Sequence, residues 1–318
     1  MDIGPHKQAE SVAADSVKGS VTPDDLLIQS RNRHFGGQEI ENRWWMGGNP
    51  YGTAMYNALS ISFPKGEAFF IESARKFQDG APEKLRREIR AFIQQEVVHS
   101  REHLCFNRHI EAANYDTSRM EQSVTDVMER LKDMPDIEHL AGTICLEHMT
   151  AVLAAEMIRN PAHFKDADEE QRKLWLWHAS EEIEHKGVTY DTWLHATRDW
   201  TRWQRWKLKS KFMARISYGF LKNRTKGAMD FLQQDGITGP RAWFGFAYYA
   251  LVAPGPIGRT IWPMLKFFLP GFHPWNVDDR YLIPRAESEY EAAIMDPPED
   301  TVTEIGERRQ HVRLKKVA

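Results

Sequence analysis

The chain has 318 residues, 42% hydrophobic and 27% charged, which is enough for a large core and excludes wholesale disorder. Lys+Arg is 42 and Asp+Glu is 45, so the formal net charge is −3, without the basic excess of a nucleic-acid binder. Two cysteines, Cys105 and Cys145, exclude a disulfide framework and a four-thiolate zinc site, fit a reducing, cytoplasmic compartment, and read as small core residues.

Residues 1–24 are polar and aperiodic and read as a disordered lead. The first residues lack the basic-then-apolar pattern of a signal peptide. Residues 31–60 mix charges with Trp44, Trp45, Gly47, Gly48 and Pro50, and read as irregular and partly packed. From Ser62 the apolar spacing becomes helical, and helices are expected over 62–77, 82–113, 118–133, 136–159 and 168–196. No run reaches the ~18 uninterrupted apolar residues of a spanning helix. Long helices with short connections imply an all-α, four-helix bundle over 25–197.

The composition changes after 197. Ten Lys or Arg face a single acid, Asp199, across 198–226, with Trp200, Trp203 and Trp206 at every third position. This stretch reads as a solvated basic helix whose tryptophans pack on the bundle, with contact to an anionic membrane surface left open. The apolar segment 242–272 is broken by Pro254-Gly255-Pro256. It either caps the bundle and walls a substrate pocket or lies against a membrane. Together 198–296 form a C-terminal helical extension, and 297–318 a charged tail.

Chemistry concentrates on two helices. Leu85, Ile89, Phe92, Glu96, His99, His103, Phe106 and Ile110 follow steps of three and four, so they share one face. Leu174, His178, Glu182 and His185 do the same on the helix from 168. Carboxylates and imidazoles inside apolar stripes are costly unless something compensates them, and a cation would. Glu96-x-x-His99 and Glu182-x-x-His185 are the paired motif of dinuclear sites in four-helix bundles, where single Glu residues from two further helices complete the cluster. Glu67, on a face with Phe70, Ile71, Ala74 and Phe77, fits better than Glu72, which has charged neighbours. Glu147 lies on the stripe of Leu140, Ile144 and Ala151, with Glu156 as rival on a helix apolar nearly all round. Mixed carboxylate and imidazole donors suit iron or manganese. Two such matches are weak alone; their order, each preceded by a helix with an inward Glu, adds the weight.

The segments Gly66-Glu67-Ala68-Phe69-Phe70, Gln95-Glu96-Val97-Val98-His99-Ser100-Arg101-Glu102-His103 and Trp177-His178-Ala179-Ser180-Glu181-Glu182-Ile183-Glu184-His185 resemble the bacterial family labelled predicted metal-dependent hydrolases, over roughly 50–280. The donor pattern also resembles that of p-aminobenzoate N-oxygenases, ferritin-like di-iron enzymes with an added histidine set as His-x-x-x-Glu-x-x-His. His178, Glu182 and His185 match that spacing. The resemblance implies a set of seven, catalytic and metal-binding: Glu67, Glu96, His99, Glu147, His178, Glu182 and His185. It implies a ferritin-like bundle holding two iron ions, or manganese. The likeness is in ligands and carries no arylamine substrate.

The same letters admit a rival. His99-Ser100-Arg101-Glu102-His103 spells the inverted zinc-peptidase motif, with His99 and His103 on one zinc and Glu102 activating water. Under the dinuclear reading His103 instead lies in the outer shell or pocket, and Glu102 is a surface or outer-shell acid. Glu181 and Glu184 read as a solvated flank. The expected function is a di-iron, or iron/manganese, oxidase or oxygenase. Its partners would be O2, an external electron donor and a small or lipid-like substrate, with no nucleic acid; a homodimer is left open. A mononuclear zinc hydrolase and a non-catalytic iron-binding bundle are the alternatives.

Overall fold

A computed structural model describes residues 17–35 and 42–288. The described residues contain no strand, only one isolated bridge between Met46 and Ala167. The helices are α1 (Pro50–Ser60), α2 (Phe63–Arg75), α3 (Glu83–Ala112), α4 (Ser118–Leu131), α5 (Asp136–Arg159), α6 (Glu169–His185), α7 (Val188–Ala196), α8 (Arg202–Gln234), α9 (Gly239–Leu251) and α10 (Pro256–Leu265). The all-α bundle expected from periodicity is what the chain forms.

Two local expectations need correction. The 31–60 stretch is not irregular throughout, because α1 starts there. Asn49 caps it, accepting from the Tyr51 and Gly52 N–H groups, and Pro50 occupies the first turn. Nearly every residue of α1 is buried, so it has no amphipathic stripe to betray it. The helix expected over 168–196 breaks at Lys186-Gly187 into α6 and α7. A Cβ at Gly187 would lie 2.5 Å from Trp275 Nε1, so only glycine lets the indole pass there.

α2 packs on α3, α5 on α6, and α3 reaches both α6 and α7. These helices surround the polar centre, and α8 lies along α1 and α5. Ile89 and Phe92 of α3 are fully buried; side chains of this kind contribute about 1.5–3 kcal/mol each. α5 is the one described helix long and apolar enough to cross a membrane, and it is mostly enclosed by the bundle. α8 begins with a capping box, Thr201 and Gln204 bonding reciprocally.

Of the lead expected over 1–24, residues 17–24 pack on the bundle, and the rest lies outside the described residues. Ser20 and Thr22 donate to Asp191 Oδ2 at 2.9 and 2.6 Å. The tail expected over 297–318 also lies outside the described residues. In the extension Trp206 donates to the Phe268 carbonyl at 2.8 Å and stacks on Trp203. The apolar segment forms the α9–α10 hairpin, which packs on α1 and α5 and leaves Trp243, Phe244, Tyr248, Ile261 and Trp262 exposed.

Candidate metal centre

Four helices deliver the seven sequence candidates to one buried centre. α2 supplies Glu67, α3 supplies Glu96 and His99, α5 supplies Glu147, and α6 supplies His178, Glu182 and His185. All are buried, Glu96, His99 and His185 completely. Their donor atoms form three overlapping groups: Glu67 with His99 and His178, Glu96 with Glu147 and His185, and Glu96 with His99 and Glu182. Within each group the atoms lie within 4.8 Å of one another. Glu96 and His99 join the groups into one cluster with two poles.

The distances describe a cage of carboxylates and imidazoles. His185 Nε2 faces Glu96 at 3.3 Å and both Glu147 and Glu182 at 3.5 Å. His99 Nδ1 stands 3.8 Å from Glu96, and His178 Nε2 is 3.0 Å from Glu182 and 3.9 Å from Glu67. Both oxygens of Glu96 and Glu147, one oxygen each of Glu67 and Glu182, His99 Nδ1 and His185 Nε2 are buried without a hydrogen-bond partner. Buried donors and acceptors are rarely left so, and these are all of metal-ligating type. The cluster therefore fits divalent metal ions.

Electrostatics point the same way. Burial pushes the Glu147 carboxyl well above the usual range, and the neighbouring Glu96, Glu182 and Glu67 add to it. Burial and then Glu96 do the same to Glu67. Glu182 is held well below its usual range: burial opposes this, but His185 and His178 outweigh it. Burial works against the charged form of His99 too, yet Glu181 and Glu96 carry its pKa well above the ordinary value. Protons occupy places that cations would take, so metal binding would release them.

The imidazoles are oriented from outside. His99 Nε2 meets Glu181 Oε2 at 3.1 Å, and His185 Nδ1 meets Gln95 Oε1 at 3.0 Å. Each leaves the opposite ring nitrogen facing the cluster, the arrangement by which an outer partner fixes a histidine ligand. Gln95 in turn donates to Glu184 Oε2 at 2.9 Å, and Arg31 bridges Glu184 and Glu181 at 2.6 and 3.4 Å. Glu181 and Glu184 are thus not a solvated flank: both are buried. On a helix buried all round, sequence offers no exposed face to tell them from ligands. Gln95, Glu181 and Arg31 are what sequence reasoning missed; only the Glu-x-x-His frame beside them gave a signal.

His103 stands one shell out. Its Nε2 meets His178 Nδ1 at 2.7 Å and its Nδ1 meets Ser60 Oγ at 2.8 Å. Glu102 turns elsewhere, accepting from the Phe35 N–H at 2.7 Å and from Arg101 Nε at 2.6 Å. The three letters of the zinc motif are not brought together around one point. Among the rivals, Glu72 is exposed beside Lys76, and Glu156 pairs with His163 at 3.1 Å. Cys145 is buried and Cys105 partly so.

Residues 29–278, well over half of the chain, match the family described as predicted metal-dependent hydrolase. The chain belongs to that family. Membership agrees with the Glu/His cluster, and the family's description names a metal-dependent activity without naming a substrate. No match was found among curated proteins or solved structures.

Two cavities touch the cluster. One, of about 500 Å³, is almost wholly apolar and is walled by Met149, Leu153, Met213, Phe246 and Ile261, with His178 and Glu182 at its polar end. The other, of about 280 Å³, is lined by Phe69 and Ile216 among others and meets Glu67, His178 and Glu182. Aromatic rings close the remaining sides: Phe92 packs edge-on to His185, Trp177 to His99 and Phe63 to His178.

Proposed function

We propose that the chain is a dinuclear non-haem metal oxidase or oxygenase, with ligands in ferritin-like order. The observation that carries this reading is the pair of poles, one containing His99 and the other Glu96 and linked through the group of Glu96, His99 and Glu182, each with imidazole and carboxylate donors left unpartnered. A bound pair of iron or manganese ions would supply reduction of O2 and oxidation of an organic substrate, with electrons from a ferredoxin- or flavin-type reductase. The chain does the rest. Glu96, which belongs to two of the donor groups, would serve both poles. Glu67 and His178 serve one side, and Glu147 and His185 the other, with Glu182 within reach of both histidines. Glu181 and Gln95 hold the imidazoles, and the phenyl and indole rings keep water out. The apolar cavity binds and orients the substrate against the edge of the cluster.

A second reading draws support from the family description, which favours hydrolysis. In the motif's form a single zinc held by His99 and His103 would activate water with Glu102 as base, but the Glu102 carboxylate is taken up by the Phe35 N–H and Arg101, which counts against it. Metal analysis of protein purified without added metal separates the readings: two iron or manganese ions per chain against one zinc. In the dinuclear case Glu182→Ala and His185→Ala each abolish loading at one pole or both. Zinc retained at full occupancy in these variants would sink it. Iron loading without O2-dependent oxidation of any organic compound would favour a non-catalytic iron-binding bundle.

A further inference from the structure

Arg224 of α8 borders both cavities that reach the cluster. Its Nη1 donates to the Ala58 carbonyl at 2.8 Å, and its guanidinium stands 5.6 Å from the Phe220 ring. Its Nε is sealed from solvent and has no partner. Among the described residues no carboxylate pairs with it. Burial alone pulls its pKa down to about 9, so it stays charged at neutral pH. Arg224 as a whole is half-buried, but a cation whose Nε is sealed and which has no counter-ion is costly, and proteins rarely keep one without a use. On the same wall Trp175 Nε1 also lacks a partner, but it is neutral, and Arg224 is the cation of the lining. His178 and Glu182 belong to the cluster, and Thr150 and Ser217 bond to the Glu147 carbonyl and Met149 sulfur.

The larger cavity suits hydrocarbon. Its volume of about 500 Å³ lies within the range of small-molecule sites, and its outer wall includes the exposed Trp243, Leu251 and Ile261. An apolar guest can therefore enter from an apolar rim without first crossing a polar one.

We propose that the cavity binds a single-chain amphiphile with a carboxylate head, the head on Arg224 and the hydrocarbon chain along the apolar wall toward His178 and Glu182. As a statement about substrate it rests on the dinuclear reading; as a statement about binding it does not. The guanidinium supplies the charge-assisted, forked donor that a carboxylate fits. The chain supplies the buried apolar area.

The test is binding, read by tryptophan fluorescence or calorimetry on the full chain as purified. A twelve-carbon carboxylate below its micelle concentration is compared with the chain-matched alcohol. The carboxylate is expected to bind at least about tenfold more tightly, the weight of one charge-assisted hydrogen-bonded contact. Arg224→Met should erase that preference while leaving metal content unchanged and the melting temperature equal or higher, since a half-buried charge without a counter-ion is gone. Arg224→Lys should keep part of the preference. The proposal is overturned if neither compound binds, if the alcohol binds as well as the carboxylate, or if Arg224→Met keeps the preference. It is also overturned if Arg224→Met lowers the melting temperature and weakens the binding of both compounds alike, which would make Arg224 a strut for Ala58. Carboxylate binding together with a metal count other than two would sink the dinuclear reading and leave this one standing.

Discussion

Glu181 is not among the seven ligand candidates, yet its carboxylate decides how His99 presents itself. One oxygen holds His99 Nε2, and the other accepts from Trp177 Nε1 and, at 3.4 Å, from Arg31. Gln95 does the same for His185 through its amide oxygen. Loss of such partners typically costs 10–100-fold in metal affinity. Glu181→Gln and Gln95→Leu are therefore expected to weaken metal binding by about that factor, as read by chelator competition, with the helix content unchanged. Affinity equal to wild type in both variants would reduce these residues to packing. At this scale His103 is worth contrasting with His99: they share a helix face, but burial and the nearby His178 pull His103 well below its ordinary pKa. It is neutral, and suited to fixing the His178 ring rather than to balancing a cation's neighbours.

Among elements, α5 and the α9–α10 hairpin show how packing decides what periodicity leaves open. Glu147 and Glu156 both sit on α5, a helix buried on nearly every side. Glu156 faces His163, with Arg159 and Arg259 within 3.9 and 3.8 Å, and so is satisfied away from the centre. Glu147 faces the cluster with neither oxygen partnered. The hairpin closes over the larger cavity through a tight turn. There a Cβ on Gly258 would run into the Leu251 carbonyl oxygen, part of the backbone that ends α9. Gly258→Ala is expected to destabilise the fold by about 1–3 kcal/mol, the usual cost of overpacking. A lower melting temperature with unchanged metal content would check this, and an unchanged melting temperature would show that the turn can yield.

For the whole molecule the polar centre and the apolar shell are energetically opposed until cations enter. Glu67 and Glu147 hold their protons above their ordinary value of 4.5, and His99 and His185 above 6.5. These four groups thus hold more protons in the folded, metal-free chain than in the unfolded one, and what they contribute to stability falls as pH rises through the raised values; His103 and His178, whose pKa values are lowered, are neutral in both states above about 6.5. Glu182, whose pKa is lowered, titrates below 4.5 and does not alter that window. Metal binding runs the other way, because it needs the deprotonated ligands. The gap in melting temperature between loaded and chelated protein should therefore widen from pH 6 to pH 8. A gap that is constant or narrows with pH would mean that these groups do not exchange protons for metal. The segment 17–35 contributes at the same scale. Ser20, Thr22, Arg31 and the Phe35 N–H tie it to α7, α6 and α3, over the side of the cluster where Glu181 and Glu184 lie.

Much of this was legible in the chain itself. Steps of three and four residues place Glu96 with His99 and Glu182 with His185 inside apolar stripes, because a helix of 3.6 residues per turn leaves no other face for them. That determined the all-α class and the core of the candidate centre. What spacing does not carry is the surroundings of a helix buried on all sides. Glu181 and Glu184 look like solvent-facing acids, α1 has no stripe, and α5 offers Glu156 as a rival to Glu147. Only the tertiary structure decided those, since an acid's role there depends on which neighbour stands opposite: Arg31 and His99 reach Glu181 from distant parts of the chain, and His163 reaches Glu156 only because the chain turns back after α5.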